Sequence, residues 1–510
     1  MRRVSIRTIT IAAATAAALT LGNGVADAAA TPGAPGAGDV YFPDYGNGGY
    51  DVGHYDVRVR YQPATDELTG TTTIAAEATQ DLSRFNLDFA LDVSSVRVNN
   101  RAATFHTEGE HELVVTPARQ IPAGSDLNVV VKYAGIPSQV VAGGFTGWTR
   151  TADGALAVNE PESAWWWFPS NDHPSDKATY DVSVLAPDDV QVISNGTLTS
   201  GPTAELKGWN RWYWRSVKPQ ATYLTYLAIG KYDIETDTAA DGSPIINAFS
   251  TSLGDFDGAA RAGINRTNEI IETEEQWFGD YPFEAQGGVA APPGALGFAL
   301  ETQTRPVYDG RFWRRGGNTY VVAHELAHQW FGDSVSLEQW RDIWLNEGFA
   351  SYAEWLWSEH EDEGTPQELF DFVYASYPAD DEFWQVLPGD PGSDKVFDGA
   401  VYDRGALTLQ ALRVQIGDQA FFEILHTWLA DHRYGNGTTD DFIALAEKIS
   451  GQDLTQLFTT WLFTAGRPDL SATTKLARSS IADTDASPAQ PRSWDRIQQV
   501  HQAHAALGAS

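Results

Sequence analysis

The sequence predicts a multidomain protein of the α+β class, in which an antiparallel β-sheet domain precedes a mainly helical domain. Apolar residues alternate with polar ones from about residue 50 to residue 235, a pattern typical of half-buried strands. After residue 236 the apolar residues recur at helical spacing over helix-length segments. With 510 residues, 42% of them hydrophobic, the chain is long enough to form two cores.

The β prediction for residues 45–236 rests on runs of alternation that Gly, Asp, Asn and Pro separate. Each run places its apolar side chains on one face of a strand, which predicts a sheet with one buried face. The runs are Tyr55, Val57, Val59 and Tyr61, then Phe85, Leu87, Phe89 and Leu91, and then Leu127, Val129, Val131 and Tyr133.

The helical prediction for residues 237–470 rests on the spacing and length of segments 259–278, 319–331, 344–360 and 401–416. The domain boundary is placed at about residue 236, in a polar, turn-rich stretch. Residues 471–510 are rich in Ala, Ser, Asp and Pro. They are predicted to form a partly disordered C-terminal tail with a short helix around 494–506.

The N-terminus has the order of a secretory signal peptide. Three arginines precede an apolar stretch at 9–21, and a series of small residues follows it. This pattern predicts a signal peptide over residues 1–28, cleaved near Ala28 or Ala30, and hence a secreted or extracytoplasmic protein. Residues 29–44 are rich in Ala, Gly and Pro and are predicted to be a flexible leader. No later segment approaches the roughly 18 apolar residues of a membrane span, so none is expected after signal removal.

The composition excludes several classes of function. The chain has 34 basic and 68 acidic residues, a net charge of −34, which repels nucleic acid. It contains no cysteine, which excludes disulfides, thiol nucleophiles and cysteine-ligated zinc. Any bound metal must therefore be held by carboxylates and by some of only 11 histidines.

The strongest chemical signal is the motif His324-Glu325-x-x-His328. On a helix the two imidazoles lie one turn apart on the same face, so both can bind one ion. Glu347 follows His328 by 19 residues, which leaves room for a turn and a second helix that brings its carboxylate back. Two histidines and one glutamate are a known ligand set for catalytic zinc, with one position open for water or substrate. The sequence therefore predicts one Zn²⁺ per chain, with Glu325 as the general base that takes a proton from the activated water.

A further carboxylate lies beyond these predicted ligands. Glu354 follows Glu347 by seven residues, two turns along the same helix face. It is predicted to accept a hydrogen bond from a ligand histidine, although an ordinary surface glutamate fits the spacing equally well.

The sequence around these residues resembles the gluzincin aminopeptidases related to aminopeptidase N. Residues 324–333 (HELAHQWFGD) and 344–350 (WLNEGFA) match the family pattern H-E-x-x-H-x18-E and its flanks. The resemblance extends over residues 45–470 and implies a saddle-like β domain followed by a thermolysin-like catalytic domain. Larger members continue beyond this point, so the resemblance implies a short, two-domain bacterial type with an open cleft that admits longer peptides.

The resemblance also assigns residues that bind substrate. Tyr402, in the segment VYDRGA, corresponds to the tyrosine that stabilises the tetrahedral intermediate. Glu301, in ALET, corresponds to the glutamate of the family's exopeptidase motif and would bind the substrate α-amine. Phe168-Pro169 begins an F-P-x-x-D segment, and the family's second amine-binding carboxylate lies eight residues before it, at Glu160. Glu162 is the rival for this role.

The function expected from these residues is that of an exported zinc aminopeptidase acting on peptides. Two alternatives remain open on the sequence alone. One is a thermolysin-like endopeptidase that uses the same zinc, and the other is an inactive binding protein with a peptidase fold. The sequence makes no prediction of the oligomeric state.

Overall fold

The computed structural model describes residues 29–142, 144–470 and 488–504. The predicted signal peptide lies outside the described residues, as do residues 471–487 and 505–510 of the predicted tail. Within the described ranges, no helix is both long enough and apolar enough to cross a membrane.

The first part of the chain is built from β-sheets. Its strands are β1 (Thr31–Pro32), β2 (Tyr50–Gln62), β3 (Glu67–Ala78), β4 (Leu82–Asp88), β5 (Asp92–Val98), β6 (Arg101–Ala102), β7 (Thr104–Glu108), β8 (Glu112–Thr116), β9 (Asp126–Gly135), β10 (Thr149–Arg150), β11 (Ala155–Ala157), β12 (Ala178–Pro187), β13 (Gln191–Ile193), β14 (Thr197–Leu206), β15 (Trp209–Gln220) and β16 (Leu227–Gly230). One sheet has the order β14-β15-β12-β2-β3-β9-β5-β6 and is antiparallel except where β12 pairs with β2. Two smaller sheets have the orders β1-β4-β8-β7 and β10-β11-β16-β13.

The alternation predicted from the sequence is present in this sheet. In β2, the side chains of Tyr55, Val57 and Val59 are at most 2% exposed. Arg58 lies between Val57 and Val59, Arg60 follows Val59, and both arginine side chains face the solvent. One face of the sheet is therefore packed into the core, as the period of two requires.

The second part combines a mixed sheet with helices. Its strands are β17 (Tyr232–Thr238), β18 (Pro244–Ser250), β19 (Gln286–Ala290), β20 (Ala299–Leu300), β21 (Val307–Tyr308), β22 (Ser336–Leu337) and β23 (Asn436–Gly437). The sheet order is β17-β18-β19-β21-β20, and β22 pairs with β23. The helices are α1 (Asp257–Ile264), α2 (Thr267–Phe278), α3 (Thr319–Ala327), α4 (Trp344–His360), α5 (Pro366–Ser376), α6 (Gly399–Ile416), α7 (Asp418–Asp431), α8 (Thr439–Ser450), α9 (Thr455–Leu462) and α10 (Trp494–His504). The α+β class predicted from the sequence is confirmed.

Helices α4 and α6 cross at a point where each helix carries a glycine and therefore has no side chain. A Cβ atom built on Gly348 would lie 3.0 Å from the Cα of Gly405, and one on Gly405 would lie 2.7 Å from the Cα of Gly348. Side chains at these positions would wedge the helices apart. Glu347 is next to Gly348 in the chain, and Tyr402 lies one turn before Gly405. The close approach of the two helices therefore brings Glu347 and Tyr402 near each other.

Strand β17 extends across the predicted domain boundary at residue 236. It pairs with β18, which in turn pairs with β19, so the other strands of its sheet all follow it in the chain. Sheet topology thus favours a boundary just after β16, near residue 231. The alternating pattern of β17 resembles that of the preceding strands, and only its pairing distinguishes it from them.

The leader at 29–44, expected to be flexible, is packed against the rest of the chain. Thr31 in β1 pairs with Leu82 in β4. Asp39 is 2% exposed, and its Oδ2 accepts a hydrogen bond from the backbone N of Trp340 at 2.7 Å. A composition rich in Ala, Gly and Pro does not prevent order when backbone and carboxylate groups find partners of this kind.

Helix α10 is the helix that was predicted around residues 494–506, and its observed bounds are Trp494–His504. It packs against α3 and α6, both of which carry predicted site residues. The chain's own C-terminal segment therefore reaches the region in which an open cleft was expected.

Candidate active site

Helix α3 carries the two histidines of the predicted zinc motif. Its N-cap is Asn318, whose side chain accepts a hydrogen bond from the backbone N of Tyr320 at 3.1 Å. The helix is buried over its whole length. Residues one turn apart lie on one face, and the ring centroids of His324 and His328 are 4.9 Å apart.

The three predicted zinc ligands come together at one point. Glu347 lies in the first turn of α4, and its Oε2 is 3.4 Å from the Nε2 of His324 and 3.4 Å from the Nε2 of His328. All three side chains are at most 4% exposed. Ligand atoms at the corners of a zinc tetrahedron with bonds of about 2.0–2.1 Å are roughly 3.3–3.4 Å apart, so the observed spacing fits zinc.

The remaining nitrogens of both rings are held by other groups. His324 Nδ1 lies 2.6 Å from Oε1 of Glu354, and His328 Nδ1 lies 3.0 Å from the backbone oxygen of Phe331. These contacts direct both Nε2 atoms toward Glu347. The Nε2 of His324 and the Oε2 of Glu347 are buried and make no hydrogen bond to a described residue. Such unpaired buried atoms are costly unless a metal ion coordinates them.

Glu354, which was predicted to accept a hydrogen bond from a ligand histidine, lies against the ring of His324. It is fully buried on α4, and its contact with His324 fixes the orientation of that ring. Burial by itself would raise the pKa of Glu354, but the neighbouring imidazoles of His501 and His324 lower it below its ordinary value. The ionised carboxylate is the form that accepts a hydrogen bond from a ligand histidine.

Glu325 and Tyr402 face the ligand cluster from two helices. Glu325 lies on α3 and Tyr402 on α6, and each is 1% exposed. The rings of Tyr402 and His324 are stacked with centroids 6.1 Å apart. Burial raises the pKa of Tyr402 well above its ordinary value, and nearby carboxylates raise it further. The phenol is therefore protonated and able to donate a hydrogen bond to a developing oxyanion.

Glu301 and Glu160 form a pair of buried carboxylates beside this cluster. They are 2% and 4% exposed. Burial raises the pKa of Glu301 to about 7. Burial, and then the charge of Glu301, raise the pKa of Glu160 well above its ordinary value. The Oε1 of Glu160 makes no hydrogen bond to a described residue. Two such carboxylates are stabilised by a cation between them.

The loop that carries Glu301 is fixed by the zinc-motif segment and by the β domain. The side-chain nitrogen of Gln329 donates to the backbone oxygen of Glu301 at 2.8 Å. The hydroxyl of Tyr223 donates to Oε1 of Glu301 at 3.0 Å. The carboxylate is therefore held at a set position relative to His328, which immediately precedes Gln329 in the chain.

Glu162, the rival of Glu160, is directed elsewhere. Its Oε2 accepts a hydrogen bond from the indole nitrogen of Trp165 at 2.5 Å. Burial and then Asp172 raise its pKa to about 8. The charges that raise the pKa of Glu160 after burial are instead those of site residues, first Glu301 and then Glu347. This difference favours Glu160 for the second amine-binding role.

Two histidines that the sequence reasoning did not assign also enter the site. His501 and His504 lie three residues apart at the end of α10, on one face, and are 6% and 3% exposed. The Nε2 of His504 lies 3.1 Å from Oε1 of Glu325. The signal available in the sequence was a pair of histidines on one face of a short helix, in a chain with only 11 histidines.

Comparison with known proteins agrees with this geometry. The model of the peptidase M1 N-terminal domain matches residues 52–224, and that of the peptidase family M1 domain matches residues 313–461. Glutamyl aminopeptidase from Rattus norvegicus is 26% identical over 487 residues, which cover 86% of this chain and 50% of that protein. The chain spans about half the length of the curated relatives it matches.

Solved structures match over more of their length. A crystal structure of an M1 zinc metallopeptidase from Deinococcus radiodurans has a TM-score of 0.75 and 29% identity, covering 85% of this chain and 99% of that one. A mutant of that peptidase bound to a Tyr-Ser-Ala substrate has a TM-score of 0.75 and 28% identity, with the same coverage. Both family models are matched in order, and the two histidines and the glutamate lie within the second. The chain therefore belongs to peptidase family M1, whose members are zinc metallopeptidases.

Proposed function

We propose that this protein is a zinc-dependent aminopeptidase that removes residues from the free amino ends of peptides. The observation that carries the proposal is the buried pair Glu160 and Glu301 beside the ligand cluster. An enzyme that cleaves next to a peptide amino terminus must distinguish a terminal ammonium from an internal amide. Two carboxylates provide this distinction because they attract the ammonium and leave no compensating charge for a neutral amide.

The chemistry proposed for the site divides between the metal and the side chains. Zinc, when held by His324, His328 and Glu347, polarises the scissile carbonyl and lowers the pKa of the attacking water. We propose Glu325 as the general base. Its carboxylate is buried next to the ligands, takes a proton from the attacking water and delivers it to the departing nitrogen.

Tyr402 has a separate role in the proposal. Its phenol, held protonated by burial, donates a hydrogen bond to the oxygen of the scissile carbonyl as negative charge develops on it. The donor is already positioned by α6, so little reorganisation is needed during the reaction. Glu354 acts through His324 and is a positioning residue.

Replacing Glu301 with Gln tests the recognition of the amine. We expect KM for a tripeptide with a free amino terminus to rise by about 10–100-fold, because a charged hydrogen bond worth roughly 1.5–3 kcal/mol is lost. In the unsubstituted protein KM should also rise as the pH falls through about 7, because protonation of Glu301 removes its charge. In the Glu301→Gln variant, KM should not show this rise at low pH. Steady-state kinetics between pH 5 and 8 measure both effects.

Glu162→Gln is the matched control for this experiment. Its side chain contacts Trp165 rather than the site, and glutamine retains an acceptor for that indole. We expect a KM close to that of the unsubstituted protein. Equal loss in both variants with an unchanged melting temperature would identify Glu162, rather than Glu160, as the second amine-binding carboxylate, whereas equal loss with a lowered melting temperature would show altered folding.

We also propose that the protein is exported. The support is the order of basic, apolar and small residues over positions 1–28. N-terminal sequencing of protein recovered from the culture medium should find Ala29 or Thr31 as the first residue. Recovery of the protein only from cells, with the N-terminal segment intact, would contradict this proposal.

A further inference from the structure

The C-terminal helix α10 reaches the reaction centre with its last turn. The Nε2 of His504 lies 3.1 Å from Oε1 of Glu325. The His504 ring centroid lies 4.8 Å from that of His324 and 5.7 Å from that of Tyr402. At 3% exposure the imidazole is enclosed by these groups. A side chain from the end of the chain therefore lies among the residues proposed to transfer protons and stabilise the intermediate.

Helix α10 is anchored at its other end by contacts that avoid the reaction centre. Arg496 forms an ion pair with Glu363, and its backbone oxygen accepts a hydrogen bond from Nδ2 of Asn318 at 3.2 Å. The ring of Trp494 packs edge-on against Phe372, with centroids 5.3 Å apart. The helix also buries its apolar face, including Ile497 and Val500 at 0% exposure. This burial favours the docked position.

His501, one turn before the end, attaches the helix to the residues behind the ligands. Its Nε2 lies 3.1 Å from Oε1 of Glu354, the carboxylate that orients His324. Its Nδ1 lies 3.1 Å from Oδ1 of Asp403, the neighbour of Tyr402. The first contact is a hydrogen bond and the second is a charge contact without hydrogen-bond geometry, and together they fix the direction in which the last turn points.

His504 is held less well than the rest of the helix. Neither ring nitrogen makes a hydrogen bond of acceptable geometry to a described residue, although Nε2 is close to Glu325. A buried imidazole without hydrogen bonds lowers the stability of its position. A cleft of about 240 Å³, lined in part by Gly297, Arg311, Gln499 and Ala503, lies beside this turn. The last turn is thus the part of α10 that a competing ligand can displace most easily.

We propose that α10 is an intramolecular competitor of peptide substrates and that His504 controls access to Glu325. A scissile carbonyl between Glu325 and Tyr402 needs the volume that the His504 ring occupies. Peptide binding and docking of the last turn are therefore mutually exclusive. The inference rests on the proposed function, because it names a regulator of that same site.

Two variants of the full-length chain test the proposal. His504→Ala removes the ring from the reaction centre, and Arg496→Ala weakens the anchor without touching any proposed catalytic or ligand residue. If the undocked state is populated at roughly 0.1–10%, the apparent substrate affinity falls to that fraction of its intrinsic value, a weakening of about 10–1000-fold. We therefore expect kcat/KM for trialanine to rise by about tenfold or more in both variants, mainly through a lower KM. Gln498→Ala, an exposed position on the same helix, is the matched control and should leave kcat/KM unchanged.

Hydrogen–deuterium exchange provides a readout that does not depend on turnover. In full-length protein carrying Glu325→Gln, saturating trialanine should increase amide exchange over residues 500–504. Unchanged exchange would overturn the proposal. It would also be overturned if the unsubstituted protein is active and neither His504→Ala nor Arg496→Ala has a higher kcat/KM. Failure of the proposed function gives a different result. In that case, no variant hydrolyses trialanine, although the protein is folded and contains zinc.

Discussion

Glu325→Gln is expected to lower kcat for peptide hydrolysis by roughly 10²–10⁴-fold, the usual contribution of a general base. Glutamine keeps the shape of the side chain but does not accept the proton of the attacking water. KM should change little, because Glu325 is not one of the groups proposed to bind the amine. Zinc should remain bound, since the ligand cluster consists of His324, His328 and Glu347. Steady-state kinetics with trialanine and metal analysis by mass spectrometry measure the two effects.

The matched control for this variant is Glu274→Gln. Glu274 on α2 is another fully buried glutamate; the charge of His328 acts on it, but it has no assigned part in the proposed proton transfer. We expect its kcat to stay within a few-fold of that of the unsubstituted protein, roughly the spread of structural effects. If Glu325→Gln retained near-full activity with zinc bound, another group would have to be the base.

His324→Ala is expected to remove zinc and with it all measurable hydrolysis. The variant deletes one of three ligands and also leaves Glu354 without its partner at 2.6 Å. Metal binding stabilises only the folded state, so a chelator should lower the melting temperature of the unsubstituted protein and have little effect on the variant. Zinc content per chain and thermal unfolding with and without chelator are the measurements.

Glu354→Gln separates loss of the metal from loss of ligand orientation. Substitution of a residue that orients a zinc ligand weakens metal affinity by about 10–100-fold, so excess zinc should restore activity in this variant. Added zinc should not restore His324→Ala. Full zinc occupancy and activity in His324→Ala would rule out this residue as a ligand.

The repeating structure of the sheet was predictable from local sequence. The alternation through Tyr55, Val57 and Val59 identifies β2 because each side chain's face follows from its position in the strand. The boundary at 236 was less predictable, because β17 has the same local pattern as the strands before it. Its assignment depends on pairing with β18, which is a contact between strands and not a property of either one.

Part of the site was predictable for the same reason. His324 and His328 lie one turn apart, and Glu347 and Glu354 lie two turns apart, so helix geometry alone brings each pair to one face. The choice between Glu160 and Glu162 was not local. It depends on which carboxylate faces Glu301, and Glu162 is directed elsewhere by Trp165, three residues along, and by Tyr45, far earlier in the chain.

The docking of α10 was beyond local sequence reasoning. A short helix near residue 494 was predictable from spacing, but its position depends on contacts with segments far away in the chain, such as that of Arg496 with Glu363. The composition of the tail, rich in Ala, Ser, Asp and Pro, favoured disorder. Burial of Ile497 and Val500 against α3 and α6 outweighs this tendency in the described part of the tail.

We propose above all that the buried carboxylates Glu160 and Glu301 make this zinc peptidase specific for free amino termini. The most direct test compares zinc-dependent hydrolysis of a panel of peptides with that of the same peptides carrying an N-terminal acetyl group. Acetylation removes the ammonium and leaves the scissile bond unchanged. We predict that the free peptides are cleaved one residue at a time and that the acetylated peptides are not cleaved. Cleavage of both sets at equal rates would rule out this specificity and identify the protein as an endopeptidase.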